Sequence, residues 1–461
     1  MTAIKCISPV DGSVYVERSL ASADEIQNAL TSAVSAQHEW KNTPLSERQE
    51  ICSKAVDAFT AHKQEIAEEL CWQMGRPIAQ APGEVSGFEE RARHMIEIAE
   101  SALQTVTPEV KDGFKRYIKR DPLGVVFVIA PWNYPYLTSV NTIIPALLAG
   151  NAVILKHSVQ TPLCAERFQQ AFSEAGLPEG VFQYLHLSHS DTAKIIQSAE
   201  IDFVAFTGSV EGGKVVEEAA SSRFIGVGLE LGGKDPAYVR EDADLQHAIE
   251  TLTDGAFFNS GQSCCSIERI YVEQAVYQDF VDGVVSLTSQ YKLGRSDDVN
   301  TNLGPLVKTS AAEFVRGQID DAVEAGARAL IDPAAFEMNR SGTPYLAPQV
   351  LIDVDHSMRV MSEESFGPVV GIMPVGSDDE AIQLMNDSEF GLTASIFTQD
   401  EDAAIAIGEQ VDTGTWFMNR CDYIDPALAW TGVKNSGRGC TLSSVGFEQL
   451  TRPKSYHLKK I

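Results

Sequence analysis

The sequence has little positive charge for its length. Its 461 residues include 36 Lys and Arg against 64 Asp and Glu, which gives a formal net charge of −28 at pH 7. An acidic excess of this size repels polyanions. We therefore exclude nucleic acids and anionic membrane surfaces as partners, and interpret the excess as a solvated surface rather than a site for a cationic partner.

Long apolar runs are also absent. No stretch of the chain approaches the roughly 18 apolar residues that a membrane span needs. Residues 1–6 do not begin an apolar segment of the kind found in a secretory signal. The sequence therefore predicts neither export nor a membrane anchor.

The cysteines are few and lack metal-site spacing. Eight are present, without a Cys-x-x-Cys pair and without zinc-finger spacing to a histidine. No metal site is expected. A chain long enough to bury a large core does not need disulfides, so the sequence predicts reduced thiols in a cytoplasmic protein.

The first half of the chain has the pattern of an α/β domain. Residues 22–103 show helical periodicity, with one helix opening at Ala23 and residues 43–46 capping the next. Apolar runs then follow at 124–130, 152–156 and 203–206, with a helix predicted over 164–175. Uniformly apolar strands alternating with helices predict a doubly wound parallel sheet.

A second alternation of strands and helices begins near Pro236. Its predicted strands include 269–272, 369–372 and 395–398. The sequence therefore predicts two doubly wound α/β domains, with the second starting just after Glu230. Ligand clefts usually lie at such boundaries.

Two short motifs carry the chemistry. Cys264 lies in the Phe-Phe-Asn-Ser-Gly-Gln-Ser-Cys-Cys run of residues 257–265, and Glu230 lies in Leu-Glu-Leu-Gly-Gly-Lys, 34 positions earlier. A cysteine that performs covalent chemistry needs an activating partner and a loop of small residues that exposes it. The pair suggests a thiol nucleophile and its base.

Four further motifs follow in a fixed order. They are Pro-Trp-Asn at 131–133, Phe-Thr-Gly-Ser at 206–209 with Gly213, Glu-Ser-Phe-Gly-Pro at 364–368, and Gly-Val-Lys-Asn-Ser-Gly at 432–437. Together with the two motifs above, they resemble the aldehyde dehydrogenase superfamily nearly end to end.

The resemblance implies a domain plan. A Rossmann-like NAD(P)-binding domain would comprise residues 1–104 and 123–231, and a catalytic domain residues 232–432. A β-hairpin arm at 105–122 would pair with the C-terminal strand within a bridging segment, 433–461. In the family this arm builds oligomers, so a homodimer or homotetramer is expected.

The resemblance also implies a reaction. Cys264 would attack an aldehyde to give a hemithioacetal and then a thioester, while Asn133 and the Cys264 N–H stabilise the oxyanion and Glu230 acts as base. The adjacent Cys265 is the alternative nucleophile. Two other functions stay open: an acylating relative that transfers the acyl group to coenzyme A or phosphate, and a catalytically silent relative.

The cofactor implied by the resemblance is NAD or NADP. Many NAD-preferring members have a glutamate three positions after the motif lysine, where this chain has Val159, so dual use or a preference for NADP is expected. His157 or Ser158 could then contact the 2′-phosphate. The residues matched to the cofactor site are Trp132, Lys156, Ser158, Val159, Gly208, Ser209, Gly213, Leu231, Glu364 and Phe366.

The substrate is predicted to be a small polar aldehyde or a semialdehyde. Asn141 replaces either an aromatic residue or the arginine of succinate-semialdehyde types, and Ser444 stands where the family has a proton-relay glutamate. Arg420 could bind an anionic substrate or form an ion pair with a neighbouring aspartate. The residues matched to the substrate pocket are Tyr134, Asn141, Ser263, Cys265, Arg420 and Trp430.

Overall fold

The computed structural model describes residues 2–461, which form a mixed α/β structure. The strands are β1 (Ala3–Ile7), β2 (Val14–Ser19), β3 (Phe114–Pro122), β4 (Val125–Ile129), β5 (Ala152–Lys156), β6 (Phe182–Tyr184), β7 (Phe203–Thr207), β8 (Gly226–Glu230), β9 (Asp235–Val239), β10 (Ile267–Glu273), β11 (Arg328–Ala329), β12 (Gln349–Ile352), β13 (Val369–Val375), β14 (Phe390–Gly391), β15 (Thr393–Phe397), β16 (Thr415–Met418), β17 (Val433–Lys434), β18 (Gly437–Arg438) and β19 (Thr451–Lys459). The helices are α1 (Ala23–Trp40), α2 (Leu45–Ala61), α3 (Lys63–Met74), α4 (Pro82–Ala102), α5 (Pro135–Ala149), α6 (Pro162–Glu174), α7 (His189–Gln197), α8 (Val210–Ala220), α9 (Leu245–Phe257), α10 (Tyr277–Thr288), α11 (Thr309–Glu324), α12 (Arg359–Ser362), α13 (Asp378–Asn386) and α14 (Glu401–Gly408).

The first large sheet has six strands in the order β18-β8-β7-β4-β5-β6. All neighbours pair in parallel except β18, which runs antiparallel to β8. Every residue of β4 and β5 is buried, as expected for parallel strands covered on both faces. The predicted strands at 124–130, 152–156 and 203–206 are confirmed.

The second large sheet has seven strands in the order β11-β12-β13-β10-β9-β15-β16. Its strands are parallel except for β11. The predicted fold class, two doubly wound α/β units, is confirmed. The sheets divide after β8, which ends at Glu230, although β18 returns to the first sheet from the segment we assigned to bridging.

The predicted arm forms a two-stranded ribbon. Strands β3 and β19 pair antiparallel over nine residues each, and the rings of Tyr117 and Tyr456 stack with centroids 4.4 Å apart. Backbone hydrogen bonds between Val106 and Ile118 close the hairpin. Within the predicted arm, residues 114–122 pair with the C-terminal strand, which begins at Thr451.

The first two helices begin close to the predicted positions. Helix α1 begins at Ala23 as predicted, because Ser22 and Glu25 form a capping box. The prediction of a cap at residues 43–46 is only partly met: α2 begins at Leu45, but its N-cap is Pro44, which has no side chain that can accept a capping hydrogen bond. None of the helices within residues 2–461 combines the length and apolarity that crossing a membrane requires.

Aromatic packing fixes the position of α4. The ring of Phe59 from α2 contacts Phe88 of α4 and Tyr136 of α5, with centroid distances of 4.1 Å and 4.8 Å. The buried positions of α4 recur every three or four residues, which is the period of a helix face that meets a core. This face also carries polar side chains towards the site described next.

Candidate active site

A strained loop presents Cys264. Helix α9 ends at Phe257, and Asn259, Ser260 and Gly261 then have φ angles of 51°, 59° and 71°. Left-handed backbone costs a non-glycine residue on the order of 1–3 kcal/mol and persists only where its surroundings enforce it. Here Ser260 Oγ donates to the carbonyl oxygen of Gly304 at 2.8 Å. The loop is thus held rigidly in a conformation that a plain connection would avoid.

Three glycines allow the Glu230 motif, the Cys264 loop and the Glu364 motif to approach one another closely. A Cβ on Gly233 would clash with the carbonyl oxygen of Cys264, and a Cβ on Gly261 would clash with that of Gly367. A Cβ on Gly232 would lie 2.5 Å from the carboxylate of Glu364. Three of the motifs, which lie between positions 230 and 367 of the sequence, therefore meet at one point because three positions lack a side chain.

A cavity of about 300 Å³ opens beside Cys264. This size is at the lower end of the range for small-molecule sites. Its walls come from the segment before α4, from α4, α5 and α9, from the loop that carries Cys264, and from the segment after β16. The lining residues are Arg76, Gln80, Gly83, Glu84, Gly87, Glu90, Arg91, Tyr134, Leu137, Thr138, Asp254, Phe258, Ser263, Cys264, Cys265, Asp422, Tyr423 and Ile424.

The two adjacent cysteines have different surroundings. Cys264 is partly exposed, whereas Cys265 is buried and its Sγ donates to Oδ1 of Asp422 at 3.0 Å. Hydrogen bonding to Cys264, burial and the charge of Asp422 raise the pKa of Cys265 well above its usual range. A thiol held protonated is a poor nucleophile, so this geometry favours Cys264 over Cys265.

Asn133 is oriented towards the nucleophile loop. Its Nδ2 donates to the carbonyl oxygen of Gln262 at 3.2 Å, and its own carbonyl accepts hydrogen bonds from Arg76 and Asn259. A side-chain amide has a second donor hydrogen. Asn133 is therefore fixed against the loop that carries Cys264, and its second Nδ2 hydrogen makes no hydrogen bond within residues 2–461.

Glu230 lies at the carboxyl end of β8 and is held by two hydroxyls. Its Oε2 accepts from Thr207 at 3.0 Å and its Oε1 from Thr441 at 2.6 Å. Burial raises the pKa of Glu230, and the two hydrogen bonds oppose that rise. A carboxyl poised in this way suits a general base, although it makes no hydrogen bond to Cys264 within the part of the chain that the structure describes.

Lys156 and Glu364, which the sequence matches to the cofactor site, can form more hydrogen bonds than they do. Lys156, at the end of β5, is buried and forms no hydrogen bond or ion pair with any of residues 2–461, and burial lowers its pKa. Glu364 accepts only from the Gly233 N–H, at 3.1 Å, and burial raises its pKa to about 8. The ammonium of Lys156 and the carboxyl of Glu364 can each form hydrogen bonds with the hydroxyls of a ribose. A dinucleotide has two riboses, so these residues are suited to binding one.

The glycine turn between β7 and α8 is tightly packed. A Cβ on Gly208 would lie 2.7 Å from the ring of Phe206, and one on Gly213 would lie 2.8 Å from Leu231. The backbone N–H of Gly208 donates to the carbonyl oxygen of Glu230 at 3.0 Å, and Ser209 caps α8. Gly208 thus ties the turn to the base motif with its own N–H, and Ser209 caps a helix of eleven residues.

The residues predicted at the aromatic and 2′-phosphate positions differ in their packing and exposure. The rings of Trp132 and Phe366 meet edge to face, 5.7 Å apart. Val159 is 43% exposed. His157 is turned inwards, where burial lowers its pKa to about 3. A neutral, buried His157 offers no charge to a phosphate, which leaves Ser158 as the predicted contact.

The predicted substrate residues are only partly brought together. Tyr134, Ser263 and Cys265 line the cavity. Asn141 is buried behind it, and Trp430 is 4% exposed within the core and absent from the cavity wall.

Arg420 also lies away from the cavity wall. It is exposed and stacks on the Tyr423 ring, with its guanidinium carbon 3.6 Å from the ring centroid. The alternative ion pair with Asp422 or Asp425 does not form within the described chain, because Arg420 contacts the ring face instead.

Several site residues escaped the sequence interpretation. Arg76 and Glu84 form a buried ion pair, and Glu84 also accepts from the N–H of Leu137 at 3.0 Å. Arg91 projects into the cavity from α4. Charged residues on the apolar stripe of a helix are a signal that could have identified Glu84 and Arg91. No sequence signal linked Thr441 to Glu230.

The comparisons with known proteins cover nearly the whole chain. Residues 1–456 match the model of the aldehyde dehydrogenase family. The NAD(P)+-dependent succinate semialdehyde dehydrogenase Sad of Escherichia coli strain K12 is 32% identical over 443 residues, covering 96% of this chain and 95% of that protein. The 4,4'-diapolycopene aldehyde oxidase of a Methylomonas species is 34% identical, covering 99% of this chain and 86% of that protein. The NADP-dependent glyceraldehyde-3-phosphate dehydrogenase of Bacillus halodurans C-125, solved with NADP, has a TM-score of 0.93 at 34% identity, covering 100% of this chain and 96% of that one.

Proposed function

Because the chain belongs to the aldehyde dehydrogenase family and is an NAD(P)-dependent aldehyde dehydrogenase, we propose that it oxidises a small polar aldehyde or a semialdehyde to its carboxylic acid. The observation that carries this proposal is the meeting of Cys264, Asn133 and the Glu230 motif beside a small cavity whose largely apolar wall contains several charged and polar side chains. The acid would form by hydrolysis of a thioester on Cys264.

The reaction begins with carbon–sulfur bond formation. The Cys264 thiolate adds to the carbonyl carbon and gives a tetrahedral hemithioacetal with an alkoxide oxygen. The second Nδ2 hydrogen of Asn133 stabilises that oxyanion, and losing such a donor typically costs about 3–4 kcal/mol. The rigid loop at 259–261 keeps the Cys264 sulfur and the Asn133 amide in a fixed relative position.

A bound nicotinamide supplies the oxidising power by accepting the hydride that the hemithioacetal carbon releases. Lys156 and Glu364 would hold its two riboses, and the capped start of α8 would lie near its phosphates. The carbonyl that reforms at this carbon belongs to a thioester on Cys264.

Glu230 completes the reaction as the base for hydrolysis. It takes a proton from water, the hydroxide adds to the thioester carbon, and the carbon–sulfur bond breaks to release the acid and the Cys264 thiolate, after which Glu230 loses its proton to solvent. To reach the water, the carboxylate leaves Thr207 or Thr441. This route needs no further glutamate, which accords with Ser444 at the relay position.

We propose dual use of NAD and NADP, or a preference for NADP. Val159 is exposed and uncharged, so it cannot repel the 2′-phosphate. Lys156, at the end of β5, and Ser158 precede it in the chain. The buried, neutral His157 takes no part in this proposal.

The substrate is assigned from the cavity rather than from the names of relatives. At similar identity, those names include a succinate semialdehyde dehydrogenase and a 4,4'-diapolycopene aldehyde oxidase. The volume of about 300 Å³ and the polar groups in its wall support a small polar substrate.

We further propose a homodimer or homotetramer in the cytoplasm. The β3–β19 ribbon supports an oligomer, because its edges retain backbone groups that can pair with another copy. The eight free cysteines support a reducing compartment. Light scattering of the purified protein tests the oligomer.

Turnover with a panel of aldehydes tests the proposed function. Succinate semialdehyde, butanal and a long apolar aldehyde are each offered with NAD and with NADP, and both reduced nicotinamide and product are measured. The free acid should form from the small aldehydes without coenzyme A, and a Cys264→Ala variant should form none. Oxidation of no aldehyde, or release of product only as acyl-coenzyme A, would contradict the proposal.

A further inference from the structure

Arg91 is a buried cation without a carboxylate partner. It lies on α4, is 8% exposed and lines the cavity that contains Cys264. Its Nη1 donates to the carbonyl oxygen of Leu137 at 2.7 Å and to Oδ1 of Asn141 at 3.3 Å. Within residues 2–461 its Nε and Nη2 make no hydrogen bond, and no carboxylate lies within ion-pair distance. A buried charge left in this state is costly unless a partner binds.

Arg76, the other cation that lines the cavity, already has a carboxylate partner. Arg76 forms a buried ion pair with Glu84 and donates to the carbonyl oxygen of Asn133. Glu84 in turn accepts from the backbone N–H groups of Tyr136 and Leu137. This pair is therefore saturated, and it holds the start of α5 and the oxyanion donor in position.

The remaining carboxylates of the cavity are engaged or lie at its mouth. Asp422 accepts from Cys265 at 3.0 Å and from Ser263 at 3.3 Å. Glu90 accepts from the Tyr423 hydroxyl at 2.8 Å and is exposed. Asp254 is also exposed. The inner wall is thus left with a guanidinium that offers two donors on one edge.

We propose that Arg91 binds an anionic group of the substrate, so that the preferred aldehyde is a short chain with a carboxylate at the end away from the carbonyl. This inference rests on the proposed function and deepens it. Nε and Nη2 form the edge of the planar guanidinium that matches both oxygens of a carboxylate. The hydrogen bonds of Nη1 to Leu137 and Asn141 fix the orientation of that edge.

The binding mode gives Arg91 a role in specificity. It contacts the far end of the substrate and takes no part in bond making at the carbonyl carbon. Its loss should therefore raise KM for anionic aldehydes and leave the turnover of neutral aldehydes nearly unchanged.

A matched pair of substrates and variants tests this role. Succinate semialdehyde and butanal have the same number of carbon atoms and differ in the terminal carboxylate. In Arg91→Gln the ratio of their kcat/KM values should fall about 30-fold or more, the usual loss when one member of a buried charge pair is removed. Arg91→Lys keeps the charge and loses the two-donor edge. Its ratio of kcat/KM values should lie between those of the parent and Arg91→Gln.

Arg93→Gln is the matched control on the same helix. Arg93 is paired with Asp57 and Glu89 on the outer face of α4 and does not line the cavity. This variant should keep the parent ratio. Equal loss for both aldehydes in Arg91→Gln, or an unchanged ratio, would overturn the assignment of Arg91.

Succinate binding measured by calorimetry separates this inference from the proposed function. Succinate should bind the parent protein and Arg93→Gln, and should bind Arg91→Gln about 30-fold or more weakly. If succinate binding is lost in Arg91→Gln but the parent protein oxidises no aldehyde, the proposed function would be overturned and the anion site would be supported. Equal binding to the parent and Arg91→Gln would overturn the anion site, whatever the turnover.

Discussion

Thr441 donates a hydrogen bond of 2.6 Å to the carboxylate of Glu230, although 211 positions separate the two residues in the chain. The bond stabilises the ionised carboxylate and opposes the rise in pKa that burial causes. Thr441 reaches Glu230 because its own backbone is paired with Trp430 through two hydrogen bonds. The C-terminal segment thereby favours the ionised form of the predicted base.

Thr441→Val should therefore raise the pKa of Glu230. The base form would then require a higher pH, so the acidic limb of the kcat profile should move to higher pH. Thr431→Val is the control, because Thr431 donates to the carbonyl oxygen of Gly439 and not to Glu230. An acidic limb that does not move in Thr441→Val would contradict the role of this bond.

The two adjacent cysteines should respond differently to truncation. Cys264→Ala should abolish oxidation while leaving NAD(P) binding intact, because it removes the nucleophile. Cys265→Ala should keep most of the parent activity, since its thiol is held protonated against Asp422. Steady-state turnover and cofactor titration measure both effects. An inactive Cys265→Ala together with an active Cys264→Ala would mean that Cys265 is the nucleophile.

Cofactor preference should depend on charge at position 159. The parent protein should use NADP with a kcat/KM no worse than about tenfold below that for NAD, because no carboxylate repels the 2′-phosphate. Val159→Glu should lower kcat/KM for NADP about tenfold or more and change that for NAD little. Val159→Gln has a similar size without the charge and should resemble the parent. A parent that already rejects NADP a thousandfold would refute this account.

Binding of an anionic aldehyde should weaken as pH rises. Burial raises the pKa of Asp422 to about 7, and the groups that face it are Cys265, Ser263, Asp254 and Arg91. Its carboxyl is neutral below that pH. Above it, the carboxylate attracts Arg91 and repels a second anion.

The KM for succinate semialdehyde should therefore rise several-fold between about pH 6 and pH 8 relative to that for butanal. Asp422→Asn keeps an oxygen that can accept from Cys265 and cannot ionise, so the rise should disappear in that variant. Michaelis constants measured across this range provide the test. An equal rise for both aldehydes would mean that Asp422 does not act on the anion.

The two sheets were predictable because their signals are local. Strands β4 and β5 are continuous apolar runs bounded by turn residues, and such runs in an alternating pattern have few other interpretations. The cap of α1 was similarly local. The start of α2 was placed correctly to within two residues, but the type of cap was not, because a proline followed the expected capping residue.

The site was predictable to the extent that short motifs carry it. Cys264, Glu230 and Asn133 each belong to a motif, whereas Arg91, Thr441 and Asp422 act through contacts between distant segments. The position of Arg91 depends on how α4 packs against α5, and periodicity alone indicates only that it faces inwards. Trp430 was placed by motif alignment, and its burial in the core reflects packing that an alignment does not contain.

The central claim is that Cys264 carries the acyl group. In Glu230→Gln, which keeps the shape of the side chain and removes the base, hydrolysis should slow by about 10²-fold or more. Mixing this variant with aldehyde and nicotinamide and quenching within one turnover should trap the thioester. Fragmentation mass spectrometry of the peptide that contains both cysteines should find the acyl mass on Cys264. An acyl group on Cys265, or reduced nicotinamide formed without any acylated cysteine, would contradict the account.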